Sequence, residues 1–237
     1  MCVLIYAEKR KVNENEFKNC FKDNSDGFGM AWRSNNKVYF KKGLMEVEEA
    51  WKFYNESVVD NGHILHFRKK STGTISDKLT HPFIISKESP LLLDGEIVED
   101  KTTKGLLFQN GTLTDWEDYK MTYLISSGEE VTDELSDTRM MAIIIAKTGR
   151  HILNHLPGKF IVYNKECTYI FGDYEEVDGV WFSNSSYKDR VVSIAKSTVL
   201  ASFDDGYDEY LLPAVKNHVN KEKTEKCPWD SIANYTL

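Results

Sequence analysis

The chain opens on an apolar run, Val3-Leu4-Ile5-Tyr6-Ala7, with only Met1 and Cys2 ahead of it, and the run predicts a buried strand. From Glu8 to Lys22 most residues are charged, with Phe17 and Phe21 at helical spacing, so a short helix and a loop with one helical turn both stay open. Asp23 to Gly27 is turn chemistry, and Phe28 to Trp32 predicts a strand entered through glycines. Asn35-Asn36 makes a hairpin turn into Lys37 to Lys42, whose mixed polarity suits a half-exposed strand. Val47, Ala50, Trp51, Tyr54 and Val58 recur at steps of three and four and predict an amphipathic helix that ends at Asn61-Gly62.

His63 to Arg68 predicts a strand ending on an arginine, Lys69 to Lys78 a polar loop, and His81-Pro82-Phe83 a new extended piece. Residues 84 to 104 read as an inserted hairpin or a loop excursion. Gly105 to Gln109 is a short apolar strand running into Asn110-Gly111, and Thr114, with Glu117 three residues on, is an N-cap for a helix. Arg139 to Leu156, broken at Gly149, predicts two helices, the first nearly all apolar and buried. Three short strands follow at 160–163, 168–171 and 180–183, with turns at Asn164-Lys165 and Asp178-Gly179. Strands, then helices, then strands again predict an α+β layered protein. The patterned part is assigned to residues 1–187, and residues 188–237 to an extension packed on or docking from that core.

With 237 residues and 41% hydrophobic content, the chain is long enough to bury a sizeable core. A formal net charge of -7 without a basic stripe argues against nucleic acid as a direct partner. Cys2, Cys20, Cys167 and Cys227 show no C-x-x-C spacing, so neither a zinc site nor a disulfide framework is expected, and a cytoplasmic location is. No signal peptide is recognisable, and no apolar run is long enough to span a bilayer. His151 and His155 have metal-capable spacing but lack a third ligand, and Asp204-Asp205 with Asp208-Glu209 lacks the ligand order of an EF-hand. No metal or cofactor is expected.

Candidate chemistry lies at strand ends. Removal of Met1 would leave Cys2 with both a thiol and a free α-amine, a nucleophile paired with its own base. Arg68 and Asn110-Gly111 also end strands, and Asp137 precedes a buried helix; side chains so placed can meet on one rim of a sheet. Singly, each has an ordinary alternative: a buried cysteine, a surface ion pair, a hairpin turn, a helix N-cap.

Taken in order, these pieces resemble the glutaminase domain of class II glutamine amidotransferases, in the N-terminal nucleophile hydrolase superfamily. The matching stretches are Met1-Cys2 before an apolar strand, Asn24 to Gly29, His66-Phe67-Arg68 with Gly73 and His81-Pro82-Phe83, Phe108 to Gly111, Ser136-Asp137-Thr138, and Gly172 through Ser183-Asn184. The chain departs from the family pattern at Thr72, Leu79 and Gln109, where the family has histidine, asparagine and histidine; Ser71 stands where a threonine hydroxyl is usual. The resemblance implies a four-layer αββα sandwich and hydrolysis of L-glutamine through a γ-glutamyl thioester. It implies Cys2 as nucleophile, Asn110 and Gly111 as oxyanion hole, and Arg68, Ser71 and Asp137 as substrate-binding residues. The ammonia would pass to a separate synthase protein, or the protein would act as a free-standing amidohydrolase. Two other readings stand beside it: an N-terminal cysteine hydrolase of another amide, and a non-catalytic binding or regulatory protein.

Overall fold

The structure is a computed structural model that describes residues 1–57, 62–71, 74–113, 118 and 135–188. Met1–Asp189 forms one compact unit. The expectations for Thr72, Gly73, the Thr114 helix start and the extension with its acidic cluster fall outside the described residues.

Eleven strands are described: β1 Val3–Ala7, β2 Phe28–Ser34, β3 Lys37–Leu44, β4 His63–Phe67, β5 Phe83–Ile84, β6 Asp94–Ile97, β7 Leu106–Asn110, β8 Lys159–Tyr163, β9 Thr168–Phe171, β10 Glu175–Val177 and β11 Val180–Phe182. They form two antiparallel sheets, one ordered β10-β11-β1-β4-β2-β3-β6 and the other β5-β7-β8-β9. The opening run lies near the middle of the larger sheet, between β11 and β4, which is why it is apolar on both faces. The ambiguous stretch 84–104 supplies β6, which pairs with β3 at the sheet edge.

Side-chain alternation sorts these strands into layers. Val3, Ile5, Leu65 and Phe67 face a cluster shared with helices α1 (Glu14–Asp23) and α2 (Val47–Ser57). Leu4, Ile64, Phe40, Leu106 and Phe108 face a second cluster shared by the two sheets. Leu107, Phe160 and Val162 turn to a third, against helix α3 (Asp137–Thr148).

The charged stretch after β1 is a helix because of its cap. The Asn13 side chain accepts from Glu16 N at 2.9 Å, and Glu16 accepts from Asn13 N at 2.9 Å. Arg10 then grips Glu16 with two bonds of 2.8 and 2.7 Å. Phe17, Cys20 and Phe21 form the buried face. The second of the two helices expected around Gly149 is a 3-10 segment, Arg150–His155. At three residues per turn, His151 and His155 lie on different faces, so the metal-capable spacing does not apply.

Cys167 is disulfide-bonded, where the cysteine spacing predicts no disulfide framework; spacing rules detect only local frameworks. The cytoplasmic expectation loses that support. Among the described residues no helix is long and apolar enough to cross a membrane.

Candidate active site

Pairing of β1 with β4 begins at Val3 opposite Phe67, so Cys2 and Arg68 both lie one residue beyond it, at the same rim. Alternation puts Cys2 on the same face as Leu4, Arg68 on that of Ile64, and Asn110 on that of Phe108, all toward the second sheet. Asn110 ends β7, and Gly111 has φ +137°, a backbone region that favours glycine. Asp137 opens α3, whose N-cap Ser136 accepts from Arg139 N at 3.1 Å.

Cys2, Arg68, Ser71, Gly111 and Asp137 line one cavity of about 90 Å³, together with Leu79, His81, Gln109 and Thr138. Asn110 lies beside it, 5% exposed, and its Nδ2 donates to Ser183 Oγ at 2.8 Å. Ser183 Oγ also accepts from Leu4 N at 2.8 Å, so this hydroxyl ties β7 of one sheet to β1 of the other. Asn110 Oδ1 is buried without a partner.

The loop after β4 is braced by Asp26, whose Oδ2 accepts from Lys70 N at 2.8 Å. It presents Lys69 N to Cys2 Sγ at 3.3 Å, and the thiol donates to Lys69 O at the same distance. Burial pushes the Cys2 thiol pKa up; the Lys69 N–H, the terminal ammonium and Arg68 pull it partly back, while Asp137 adds to the rise.

Arg68 is 7% exposed. Its Nη2 donates to Thr74 O at 3.0 Å, whereas Nη1 is buried without any partner. Among the described residues no carboxylate forms an ion pair with it. Burial pushes the guanidinium pKa down, with Cys2, Asp26 and Asp137 opposing that. Ser71 lies at the exposed mouth, where its Oγ accepts from Thr112 Oγ1 at 3.0 Å.

Below the cavity a polar chain ends on Asp137. His66 Nε2 lies 3.1 Å from Gln109 O and 2.7 Å from His81 Nδ1, and His81 Nε2 lies 2.9 Å from Thr138 Oγ1. Thr138 Oγ1 donates to Asp137 Oδ1 at 3.3 Å. Since a carbonyl oxygen only accepts, the contact with Gln109 O protonates His66 on Nε2. Burial keeps both neutral: the His66 pKa falls to about 3, and that of His81 also falls well below the usual value.

Two glycines of the Asn24–Gly29 stretch let the segment carrying His81 come close. A Cβ on Gly29 would stand 1.8 Å from His81 O, and one on Gly27 would stand 2.4 Å from Thr80 Cγ2. Lys42, 2% exposed, holds the same segment by donating to Lys78 O at 2.8 Å and Pro82 O at 3.2 Å. Burial lowers its amine pKa to about 7.

The arrangement of the two antiparallel sheets has a structural counterpart. The fold is shared with a glutamine amidotransferase. The solved protein is glutamine phosphoribosylpyrophosphate amidotransferase from B. subtilis complexed with ADP and GMP, at TM-score 0.54 and 15% identity, covering 77% of this chain and 41% of that one. A second similar structure, the allosteric regulatory enzyme of purine biosynthesis, has TM-score 0.49 and 16% identity, covering 76% of this chain and 40% of that one. This chain therefore matches well under half the length of either neighbour. No protein-family model matches the sequence, and no curated protein does.

His81, Thr138 and Ser183 carry internal bonds at and beside this cavity, though the sequence marks none of them as a candidate site residue. Their signal was positional: each lies in or beside a stretch that resembles the family.

Proposed function

We propose that the protein hydrolyses the side-chain amide of L-glutamine to glutamate and ammonia, with Cys2 as nucleophile. The observation that carries this reading is the buried, unpartnered Nη1 of Arg68 in the same cavity as the Cys2 thiol and the Asp137 carboxylate. A buried cation without an anion is costly, and an amino acid's α-carboxylate is the counter-ion that a planar guanidinium binds best. A carboxylate a short distance away suits the α-ammonium, so the pair selects a zwitterion. An amide lacking either charge gains nothing from it.

The raised thiol pKa requires a base. In our reading Met1, 86% exposed, is removed, and the α-amine of Cys2 takes the thiol proton. The sulfur attacks the amide carbon, and the oxygen that becomes negative is held by Asn110 Nδ2 and the Gly111 N–H. Ser183 supports this, because a hydroxyl both donates and accepts. It can donate to Asn110 Oδ1 instead, leaving Nδ2 for the oxyanion. The C–N bond then breaks, the protonated amine gives its proton to departing ammonia, and a γ-glutamyl thioester remains. Water, deprotonated by the same amine, attacks the thioester, releasing glutamate and restoring the thiol.

The three apolar clusters support assigning the packed layers to the four-layer αββα sandwich of N-terminal nucleophile hydrolases. Residues 1–187 form the core in this proposal and 188–237 an extension, with a separate synthase protein receiving the ammonia. Intact-protein mass spectrometry after incubation with a glutamine-mimicking diazoketone tests the chemistry. Loss of the Met1 mass with one adduct on Cys2 is expected; retained Met1 and no adduct rejects the reading.

A further inference from the structure

Gln109 is one residue before the proposed oxyanion donor, and alternation turns it the other way, to the α3 face of its sheet. It is 1% exposed and lines the cavity. Its Nε2 donates to Gly111 O at 3.2 Å and to Asp137 Oδ2 at 3.3 Å. These contacts fix the amide orientation. Turned over, Oε1 would face a carbonyl oxygen and a carboxylate oxygen, both acceptors. Oε1 is thus an acceptor of settled identity, and it is buried without a partner.

The Asp137 carboxylate, by contrast, is heavily engaged. Oδ1 accepts from Thr138 N at 2.8 Å and Thr138 Oγ1 at 3.3 Å. Oδ2 accepts from Gln109 Nε2 and from Leu113 N, both at 3.3 Å. Four donors occupy about as many lone-pair sites as a carboxylate offers. The Asp137 carboxylate therefore has little directional capacity left.

Resting on the glutamine reading above, we propose that Gln109 is a specificity-determining residue: its Oε1 accepts a hydrogen bond from the substrate α-ammonium while Asp137 supplies the negative charge. The position that departs from the family's histidine therefore contributes to choosing an α-amino acid over its des-amino analogue.

The test compares kcat/KM for L-glutamine with that for 4-carbamoylbutanoate, which lacks only the α-ammonium. Calorimetric binding of L-glutamate against glutarate repeats the comparison without turnover. Gln109→Met removes the acceptor at similar volume. The Met variant is expected to lose about tenfold to a hundredfold of the preference for the α-amino compound, read as the ratio of the two kcat/KM values. Far-UV circular dichroism and thermal melts establish that the variant is folded.

A folded Met variant with full preference overturns the proposal while leaving the glutamine reading intact. Equal losses of kcat/KM for the two compounds, which leave their ratio intact, also overturn it, since they would mark a packing role. Wild-type protein that neither turns over glutamine nor binds glutamate would reject the underlying reading itself.

Discussion

Two cavities in this protein differ in what their walls have left unspent. One, of about 390 Å³, lies at the β3–β6 edge of the larger sheet, lined by Trp32, Tyr39, Phe40, Lys41, Phe53, Asp94, Gly95 and Glu96. The other, about 90 Å³, lies at the rim beside Cys2. In the larger one the charges are matched: Lys41 pairs with Asp94 at 2.8 Å, and Glu96 with Lys37 at 2.9 Å. Its aromatic walls satisfy each other, with Trp32 stacked on Tyr39 at 5.8 Å. In the smaller one a guanidinium nitrogen and an amide oxygen are buried without partners, and a second such amide oxygen lies beside it on Asn110. Volume alone would choose the larger cavity. Unpaired polar atoms mark where a ligand would restore hydrogen bonds that folding left unmade.

That contrast breaks most sharply at the nucleophile. Cys2→Ala should reduce glutamine turnover at least about a thousandfold, measured as glutamate release. Trp32→Ala, in the larger cavity, should lower the melting temperature but leave kcat/KM within about twofold; a large loss of activity there would reverse the ranking of the two cavities. Asn110→Ala should lower kcat by about 10²–10³ with little change in KM, as loss of one oxyanion donor does. Arg68→Lys should raise the glutamine KM by about tenfold to a hundredfold, since an ammonium cannot reproduce a bidentate carboxylate contact. An unchanged KM would remove Arg68 from the site.

The smallest effect concerns the thiol itself. Burial holds Cys2 protonated above the usual thiol range, so its alkylation rate should keep climbing as pH passes 9. Arg68→Gln removes a stabilising positive charge and should move the profile to higher pH, whereas Asp137→Asn removes a negative charge and should move it lower. Identical profiles in all three proteins would mean that neither charge acts on the sulfur.

Much of the fold was legible because period and turn chemistry are local. The hairpin at Asn35-Asn36 has positive φ at both residues, 50° and 63°, as its sequence led one to expect. The helix after β1 is ambiguous in the sequence although Asn13 and Glu16 carry a capping box, because a mostly charged surface weakens the periodic signal. Strand β6 lies in a stretch equally readable as hairpin or loop for a different reason: four residues at a sheet edge need apolar alternation on few positions. The meeting of Cys2, Arg68 and Asp137 depends on sheet order and register, which no local pattern encodes; their strand-end positions allowed it, and the family resemblance specified it. Gln109 reversed its meaning. In the sequence it was a departure from a motif; in the fold it is a buried acceptor beside a saturated carboxylate.

Lys42, the buried amine under the His81–Pro82 segment, makes unfolding a proton-consuming event. With a folded pKa near 7 and an ordinary value of 10.5, it is largely neutral in the native protein at pH 8.5 and charged once released. Between those two values the unfolded chain binds the extra proton, so stability from this residue grows as pH rises from 7 toward 10.5; below 7 both states are protonated and the dependence vanishes. Calorimetric unfolding enthalpies at pH 8.5 should therefore differ between buffers of high and low ionisation heat, and the difference should disappear in Lys42→Met.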